Sequence, residues 1–182
     1  MIKFIPNMLS FSRILLAFFL IAPIIRNDFE TAALLFALAA VSDFLDGFCA
    51  RKLKASSETG AMLDPLADKI LITVSYLLFA QAELIPAYTA MVVIGRDLLI
   101  LAAVLACKVS GAHLEIRPLM SSKINTAVQL IYIGSVIACK LLPIYVPYLP
   151  ESFGIIVVVS TVFSGADYAR RYRWIKDEVF KR

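Results

Sequence analysis

The sequence predicts an all-α integral membrane bundle of six transmembrane helices, and two observations lead to this class. Of the 182 residues, 60% are hydrophobic and the mean hydropathy is +0.83, whereas a soluble domain is nearer half apolar. Six apolar segments also approach the roughly 20 residues that a helix needs to cross a bilayer. These segments cover about 8–25, 31–50, 61–80, 85–107, 124–142 and 153–169.

The connectors between these segments are short, so residues 1–182 are predicted to form a single membrane domain. Lysine and arginine are concentrated at the termini and in the 51–60 and 107–123 connectors, whereas only Arg26 and Lys140 lie near helix ends on the other side. The positive-inside rule therefore predicts an inner or cell membrane protein with both termini and these two connectors in the cytoplasm.

The basic tail, residues 170–182, has two interpretations. Its aromatic and basic residues suit an interfacial helix on anionic lipid, and the same charges are also explained if they only set the topology. Because the basic residues follow the membrane rule, no nucleic-acid partner is expected.

Four aspartates interrupt the apolar sequence between residues 41 and 69. A charged side chain at bilayer depth costs at least about 3 kcal/mol on insertion scales, so four of them require an explanation. They form two pairs at helical spacing, at the cytoplasmic end of the second predicted helix and the cytoplasmic start of the third. The four residues are Asp43, Asp46, Asp64 and Asp68.

Small residues and an arginine accompany both pairs. Helical residues advance about 100° each, so Asp43 and Asp46 share a stripe with Gly47 and Ala50. Gly60 precedes Asp64 by four residues on the third predicted helix, and Pro65 is expected near the start of that helix, where its missing N–H costs least. Two antiparallel helices with a short connector would direct the two aspartate stripes towards each other.

This combination of residues suits metal-assisted phosphate chemistry. Carboxylate oxygens are ligands for hard cations such as Mg²⁺ or Mn²⁺. Arg51, at the end of the second helix, offers a planar fork of donors for a phosphate. A divalent ion stabilises charge on a transferring phosphoryl group and on its leaving oxygen. A carboxylate that is not committed to the metal can act as general base on an alcohol.

Two alternatives come from other classes. A single intramembrane aspartate is often a helix-packing hydrogen bonder or part of an ion or proton pathway. A transporter, however, does not need Gly47, Arg51 and Gly60 as a set, and two pairs at helical spacing are hard to explain as packing. Phosphate chemistry is therefore favoured, and an ion or proton transporter is kept as the alternative.

The pattern D-x2-D-G-x2-A-R-x8-G-x3-D-x3-D, from Asp43 to Asp68, resembles the signature of the CDP-alcohol phosphatidyltransferases at all eight fixed positions. The opening P-N-M-L-S-F-S-R is similar to the N-terminal P-N-x-L-T-x-x-R segment of that family. The run L-D-P-L-A-D-K-I-L resembles the phosphatidylglycerophosphate synthase and CDP-alcohol-type cardiolipin synthase branches. The resemblance covers essentially the whole chain.

The resemblance implies roles for the motif residues. The four aspartates would hold one or two Mg²⁺ or Mn²⁺ ions, and Asp68 would also deprotonate the acceptor hydroxyl, which attacks the phosphatidyl phosphorus so that CMP leaves. The lipid tails would lie in a groove open to the bilayer, and the protein would be a homodimer. The residues implied to bind CDP-diacylglycerol are Gly47, Ala50, Arg51, Ser57 and Gly60.

The acceptor alcohol is predicted to be glycerol 3-phosphate, giving phosphatidylglycerophosphate, with phosphatidylglycerol, giving cardiolipin, as the alternative. Arg96, Arg117 and Lys123 are candidates for binding an acceptor phosphate. Arg96 and Asp97 could instead form a buried ion pair, and Arg117 and Lys123 could only set topology. The chain has R-D and S-K-I-N-T where phosphatidylglycerophosphate synthases usually have R-E and G-K-x-K-T, which resembles the cardiolipin synthase branch.

Overall fold

A computed structural model describes residues 12, 14–53, 58–109, 119–142 and 148–179, and at 43–53, 58–68, 104–109 and 172–179 it describes the backbone alone. Within this part of the chain all regular structure is helical, which confirms the all-α class. The apolar helical stretch Ile14–Ile25 includes α1. The helices are α1 (Ile21–Ile25), α2 (Phe29–Leu53), α3 (Glu58–Gln81), α4 (Ala87–Val109), α5 (Met120–Leu141) and α6 (Leu149–Val179).

Two helices differ from the sequence prediction. Helix α3 begins at Glu58, so Pro65 lies about two turns inside it and the expectation of a proline near the helix start is wrong. Pro65 therefore removes a backbone donor from the interior of α3. Helix α6 continues without a break through residue 179, because no glycine or proline follows Gly165 to stop it. Most of the basic tail is thus an extension of the sixth helix.

Helix α5 contacts three of the other described helices, namely α2, α3 and α6. Helix α4 packs against α3 and α6, and α1 packs against α2 and α3. The centre of the bundle is apolar and aromatic, with Tyr76 and Phe79 from α3, Tyr132 from α5 and Val157 from α6 fully buried. This packing holds α3, which carries two of the aspartates, against both α4 and α5.

The bundle exposes large apolar side chains and buries polar ones. Within the described residues, Leu99, Ile131 and Phe163 are each more than 60% exposed. The buried polar residues are Ser75, Thr89, Arg96, Asn125, Gln129, Thr161 and Ser164. Exposed apolar surface of this extent indicates a surface that contacts either another protein or a membrane. Buried hydrogen-bonding residues commonly hold helices together in lipid.

Two described segments are long and apolar enough to cross a membrane, namely Met120–Leu141 and Leu149–Arg171. Shorter apolar stretches occur at Ile14–Ile25, Phe29–Ser42 and Lys69–Gln81. The described part of the chain therefore indicates membrane association, and the count of six spans stays a prediction.

The turn between α1 and α2 is tight. Asn27 adopts φ 55°, a left-handed conformation that asparagine tolerates better than most residues. Asp28 then accepts a hydrogen bond from the backbone N–H of Thr31 at 3.1 Å, which caps α2. The pKa of the Asp28 carboxyl is held below its usual range by hydrogen bonds from Thr31, of which the side-chain bond has the larger effect and the backbone bond the smaller.

Candidate functional site

A small cavity of about 30 Å³ lies between α2, α3 and α5. Its walls are mostly apolar and include small side chains, so the three helices leave open space at this level. The lining residues are Phe36, Ala39, Ala40, Leu71, Ile72, Thr126 and Leu130.

The helix faces that line this cavity continue into the aspartate positions. On α2, Asp43 follows Ala39 by four residues. On α3, Asp68 precedes Ile72 by four residues, and Asp64 precedes Asp68 by four. Positions four apart lie on one face of a helix. The backbones of α2 and α3 therefore place all four aspartate positions beyond the same end of one cavity, on the faces that line it.

The predicted donor-binding residues occupy the same two helix ends. Gly47, Ala50 and Arg51 lie in the last two turns of α2, and Gly60 is the third residue of α3. The two helices are separated in sequence by residues 54–57, and Ser57 lies outside the described residues. The roles of these residues remain predictions.

The chemistry of the four carboxylates fits a hard divalent cation, because carboxylate oxygens suit Mg²⁺ or Mn²⁺. The side chains of these aspartates lie outside the part of the chain described in full. Among the side chains that are described, no other cluster of three or more His, Cys, Asp or Glu could hold a metal. The metal site therefore stays a prediction, supported by the helix faces that carry it.

Lys69, the residue after Asp68, forms an ion pair with α4. The Lys69 Nζ lies 2.7 Å from each carboxylate oxygen of Asp97 on α4. The same carboxylate accepts a hydrogen bond from the Arg96 Nη1 at 2.6 Å. The side chains of Asp97 and Arg96 are 7% and 6% exposed, whereas that of Lys69 is 38% exposed. Two cations thus share one buried carboxylate.

Arg96 extends this network to two more helices. Its Nη2 donates to the Ser122 Oγ on α5 at 3.0 Å and to the Ser164 Oγ on α6 at 2.6 Å. The guanidinium carbon also lies 5.5 Å from the ring centre of Tyr168 on α6, within the range of a cation–π contact. We call the set Lys69, Asp97, Arg96, Ser122 and Ser164 the four-helix clamp, because it joins α3, α4, α5 and α6.

The clamp includes Arg96, one of the three candidates for binding an acceptor phosphate. The ion pair between Arg96 and Asp97, one of the two interpretations of these residues, is present. Both terminal nitrogens of Arg96 have protein partners, and its buried Nε has none among the described groups. Binding of an acceptor phosphate by Arg96 remains a prediction, and the terminal nitrogens would have to share or exchange their present partners.

Lys123 lies on α5, one of the three helices that line the cavity. It is exposed in the first turns of α5, and it precedes the cavity-lining Thr126 by three residues, so the two share a helix face. The neighbouring Ser122 belongs to the clamp, and Ser121 donates to the Asp167 carboxylate at 2.6 Å. Arg117 lies outside the described residues.

Sequence reasoning missed Lys69 as a residue of interest. The signal was present, because Lys69 and Asp97 are opposite charges placed inside two apolar segments, where an ionisable residue normally has a partner. Ser122 and Ser164 carry no such signal, since serine is common between packed membrane helices.

With this geometry in place, comparison with known proteins defines the family. The family model described as CDP-alcohol phosphatidyltransferase matches residues 3–165. The chain belongs to the CDP-alcohol phosphatidyltransferase family, as the motif between Asp43 and Asp68 predicted.

Relatives in the family have two kinds of name. The human protein named cardiolipin synthase (CMP-forming) is 41% identical over 150 residues, covering 74% of this chain and 50% of the relative. The rat protein of the same name is 36% identical over 184 residues, covering 92% and 60%. The Bacillus subtilis CDP-diacylglycerol–glycerol-3-phosphate 3-phosphatidyltransferase is 32% identical over 142 residues, covering 75% and 70%. The chain thus spans about half to three-fifths of the two cardiolipin synthases.

Proposed function

We propose that the protein is a phospholipid-synthesising phosphatidyltransferase, which moves the phosphatidyl group of CDP-diacylglycerol to the hydroxyl of an alcohol and releases CMP. The observation that carries this proposal is the continuation of the cavity-lining faces of α2 and α3 into the two aspartate pairs. Membership of the CDP-alcohol phosphatidyltransferase family supports it, as do the names of the relatives.

In the proposed reaction the motif aspartates bind metal, and one of them also acts as general base. Asp43, Asp46, Asp64 and Asp68 would hold one or two Mg²⁺ or Mn²⁺ ions, and such ions would supply positive charge to stabilise the pyrophosphate and the leaving CMP phosphate. Asp68 also accepts the proton of the acceptor hydroxyl. The acceptor oxygen forms a bond to the phosphatidyl phosphorus, the bond from that phosphorus to the bridging oxygen breaks, and CMP leaves with the electron pair.

The donor lipid is proposed to enter beside the cavity. Gly47, Ala50 and Gly60 keep the helix ends narrow so that the nucleotide head can approach the backbone, and Arg51 and Ser57 contact its phosphates. The lipid tails are proposed to pass through a groove open to the bilayer, as the family resemblance implies.

Two acceptors remain candidates, and both present a glycerol hydroxyl. Glycerol 3-phosphate is supported by relatives such as the Bacillus subtilis enzyme. Phosphatidylglycerol is supported by the human and rat cardiolipin synthases, and the rat match extends over 92% of this chain. Both terminal nitrogens of Arg96 already bind protein groups, so they are less available for the phosphate of glycerol 3-phosphate. This also favours phosphatidylglycerol as the acceptor.

The proposal also includes the number of membrane spans and their orientation. The six helical segments would each span the bilayer, with the termini and the mouth of the site on the cytoplasmic side. In this arrangement Lys123, at the start of α5, and Arg170 and Arg171, late in α6, would lie towards that side, whereas Arg26 and Lys140, after α1 and late in α5, would lie towards the other. A homodimer is proposed on the family resemblance alone.

The test is a release assay with the purified protein in detergent. CDP-diacylglycerol and Mn²⁺ are mixed with glycerol 3-phosphate or with phosphatidylglycerol in separate reactions, and CMP is measured. CMP with one acceptor identifies it, and chelation with EDTA should stop the reaction until Mn²⁺ is restored. If neither acceptor releases CMP, both are rejected, and other alcohols are tested first and the ion or proton transporter after them.

A further inference from the structure

The turn of α3 that carries Asp64 and Asp68 has an unusual local construction. Pro65 lies inside the helix, where it supplies no N–H to the preceding turn and favours a kink. Lys69 follows Pro65 by four residues, directly after Asp68, and its ammonium is held by both oxygens of Asp97. The first tertiary contact described after the proline is therefore an ion pair to α4.

The partner of Lys69 is itself rigidly held. Asp97 is 7% exposed and also binds Arg96, which is 6% exposed and reaches Ser122 and Ser164. The clamp therefore ties Lys69 to α4, α5 and α6. Because position 69 is adjacent to position 68, about 100° around the helix, whatever fixes Lys69 also fixes the rotation of α3 at Asp68.

We propose that Lys69 and Asp97 form a positioning pair, which restrains the rotation of α3 and thereby the placement of position 68 relative to positions 43 and 46 on α2. This inference rests on the proposed metal-assisted function and deepens it. The pair acts through the helix backbone and does not touch the reacting atoms.

The size of the expected effect follows from geometry. A side-chain oxygen about 6 Å from the helix axis moves by roughly 2 Å when the helix rotates by about 20°. A reacting group that is misplaced by about 1 Å can cost about 100-fold in rate. Loss of the pair should therefore reduce kcat by about 10- to 100-fold and leave the KM values for both substrates within about twofold.

The test uses Lys69→Met, which keeps the length of the side chain and leaves Asp97 paired with Arg96. Lys140→Met, the same substitution on an exposed lysine in the last turn of α5, is the matched control. We expect Lys69→Met to lower kcat, to weaken Mn²⁺ binding measured by electron paramagnetic resonance, and to leave both KM values unchanged. Lys140→Met should change none of these.

The Asp97 variants test whether the two residues act together. Asp97→Asn should lower kcat like Lys69→Met, and the double variant should be no worse than the more impaired single variant if they form one unit. Asp97→Glu keeps the carboxylate and should recover most of the lost kcat. Size-exclusion chromatography in detergent checks that each variant is folded, and Lys69→Met carries the test if Asp97→Asn is not.

Three results would overturn the inference. An unchanged kcat in Lys69→Met would show that the ion pair serves stability alone. A raised KM for the acceptor with kcat preserved would show that Lys69 contacts substrate directly. If the wild-type protein releases no CMP, the proposed function fails and the inference is judged on Mn²⁺ affinity, where equal affinities in wild type and Lys69→Met would overturn it.

Discussion

The two sides of the bundle around α5 are built in opposite ways. Towards α6, the contact is polar: the Asn125 Oδ1 accepts hydrogen bonds from Ser160 at 2.8 Å and Thr161 at 3.0 Å, and the Gln129 Nε2 donates to Thr161 at 3.2 Å. Towards α2 and α3, the facing side chains are mostly apolar, and they leave a cavity. We call the first side the scaffold side and the second the site side.

The two sides of the bundle are suited to different roles, stability on the scaffold side and chemistry on the site side. Hydrogen bonds between helices in lipid fix their spacing and rotation, so the scaffold side holds α4, α5 and α6 in one arrangement. Small side chains such as Ala39 and Ala40 on the site side keep space in front of the aspartate turns. Substitutions on the scaffold side should therefore lower stability first, whereas substitutions at the aspartates should lower activity with little effect on stability.

The largest effect should come from Asp68→Asn on the site side. The amide cannot accept the acceptor proton as a carboxylate does, and general-base catalysis is typically worth about 100- to 10,000-fold. CMP release should fall by at least about 100-fold, while binding of CDP-diacylglycerol is partly retained and the thermal unfolding midpoint in detergent hardly changes. Wild-type turnover by this variant would remove Asp68 from the general-base role.

A matched control for that variant is Asp28→Asn in the turn between α1 and α2. Asparagine still caps a helix, so the fold and the activity should both be retained. If Asp28→Asn also abolished CMP release, loss of activity in Asp68→Asn would no longer point to the aspartate site.

The sequence predicted the helical class and the faces of the aspartate motif because both follow from local patterns. Apolar segments of about 20 residues mark membrane helices, and the spacing from Asp43 to Asp46 and from Asp64 to Asp68 defines helix faces. The start of α3 at Glu58 was missed because proline is typical of a first helical turn, whereas α3 extends about two turns before Pro65.

The clamp was beyond sequence reasoning for a different reason. Arg96 and Asp97 are neighbours in sequence, so their pairing could be foreseen, but Lys69 and Ser164 are separated from them by 28 and 68 positions respectively. Only the packing of α3 and α6 against α4 brings these groups together. Long-range polar contacts of this kind have no periodic signature in a single sequence.

The second largest effect should come from Arg96→Met on the scaffold side. The variant leaves Asp97 buried with Lys69 alone, and it removes the donor of Ser122 and Ser164. Removing one partner of a buried ion pair typically costs about 3–5 kcal/mol. The thermal unfolding midpoint should fall markedly, with activity falling alongside it.

Arg96→Lys should be intermediate, because a lysine retains the charge beside Asp97 but cannot fork to two serines. If Arg96→Met kept the wild-type unfolding midpoint and raised only the KM for the acceptor, Arg96 would be an acceptor-binding residue instead of a structural one. That result would also weaken the division between the two sides of the bundle.

A smaller effect is expected from Gly154→Ala on α6. A Cβ at this position would lie 3.0 Å from the Thr89 Oγ1 and 3.2 Å from the Tyr132 hydroxyl oxygen. The Tyr132 hydroxyl donates to the Pro150 carbonyl at 2.7 Å, so it has little freedom to move away. Overpacking of this kind typically costs about 1–3 kcal/mol, which a lower unfolding midpoint would report.

Gly165→Ala on the same helix is the matched control. Its Cβ would meet the Arg96 Cγ at 3.6 Å, an ordinary van der Waals distance, so the midpoint should stay near wild type. Equal loss in the two glycine variants would show that helix α6 is sensitive to any added methyl group, whatever its neighbour.

A still smaller effect should come from Thr161→Val, which keeps the shape of the side chain and removes its hydroxyl. Gln129 then loses the acceptor for its Nε2, while Asn125 keeps the hydrogen bond from Ser160. Interhelical hydrogen bonds in membrane proteins average about 0.6 kcal/mol, so the unfolding midpoint should fall slightly and kcat should be unchanged. Ser160→Ala should cost less, because Asn125 retains Thr161 as a donor. A kcat loss in Thr161→Val without a change in midpoint would place part of the catalytic geometry on the scaffold side and remove the separation drawn between the two.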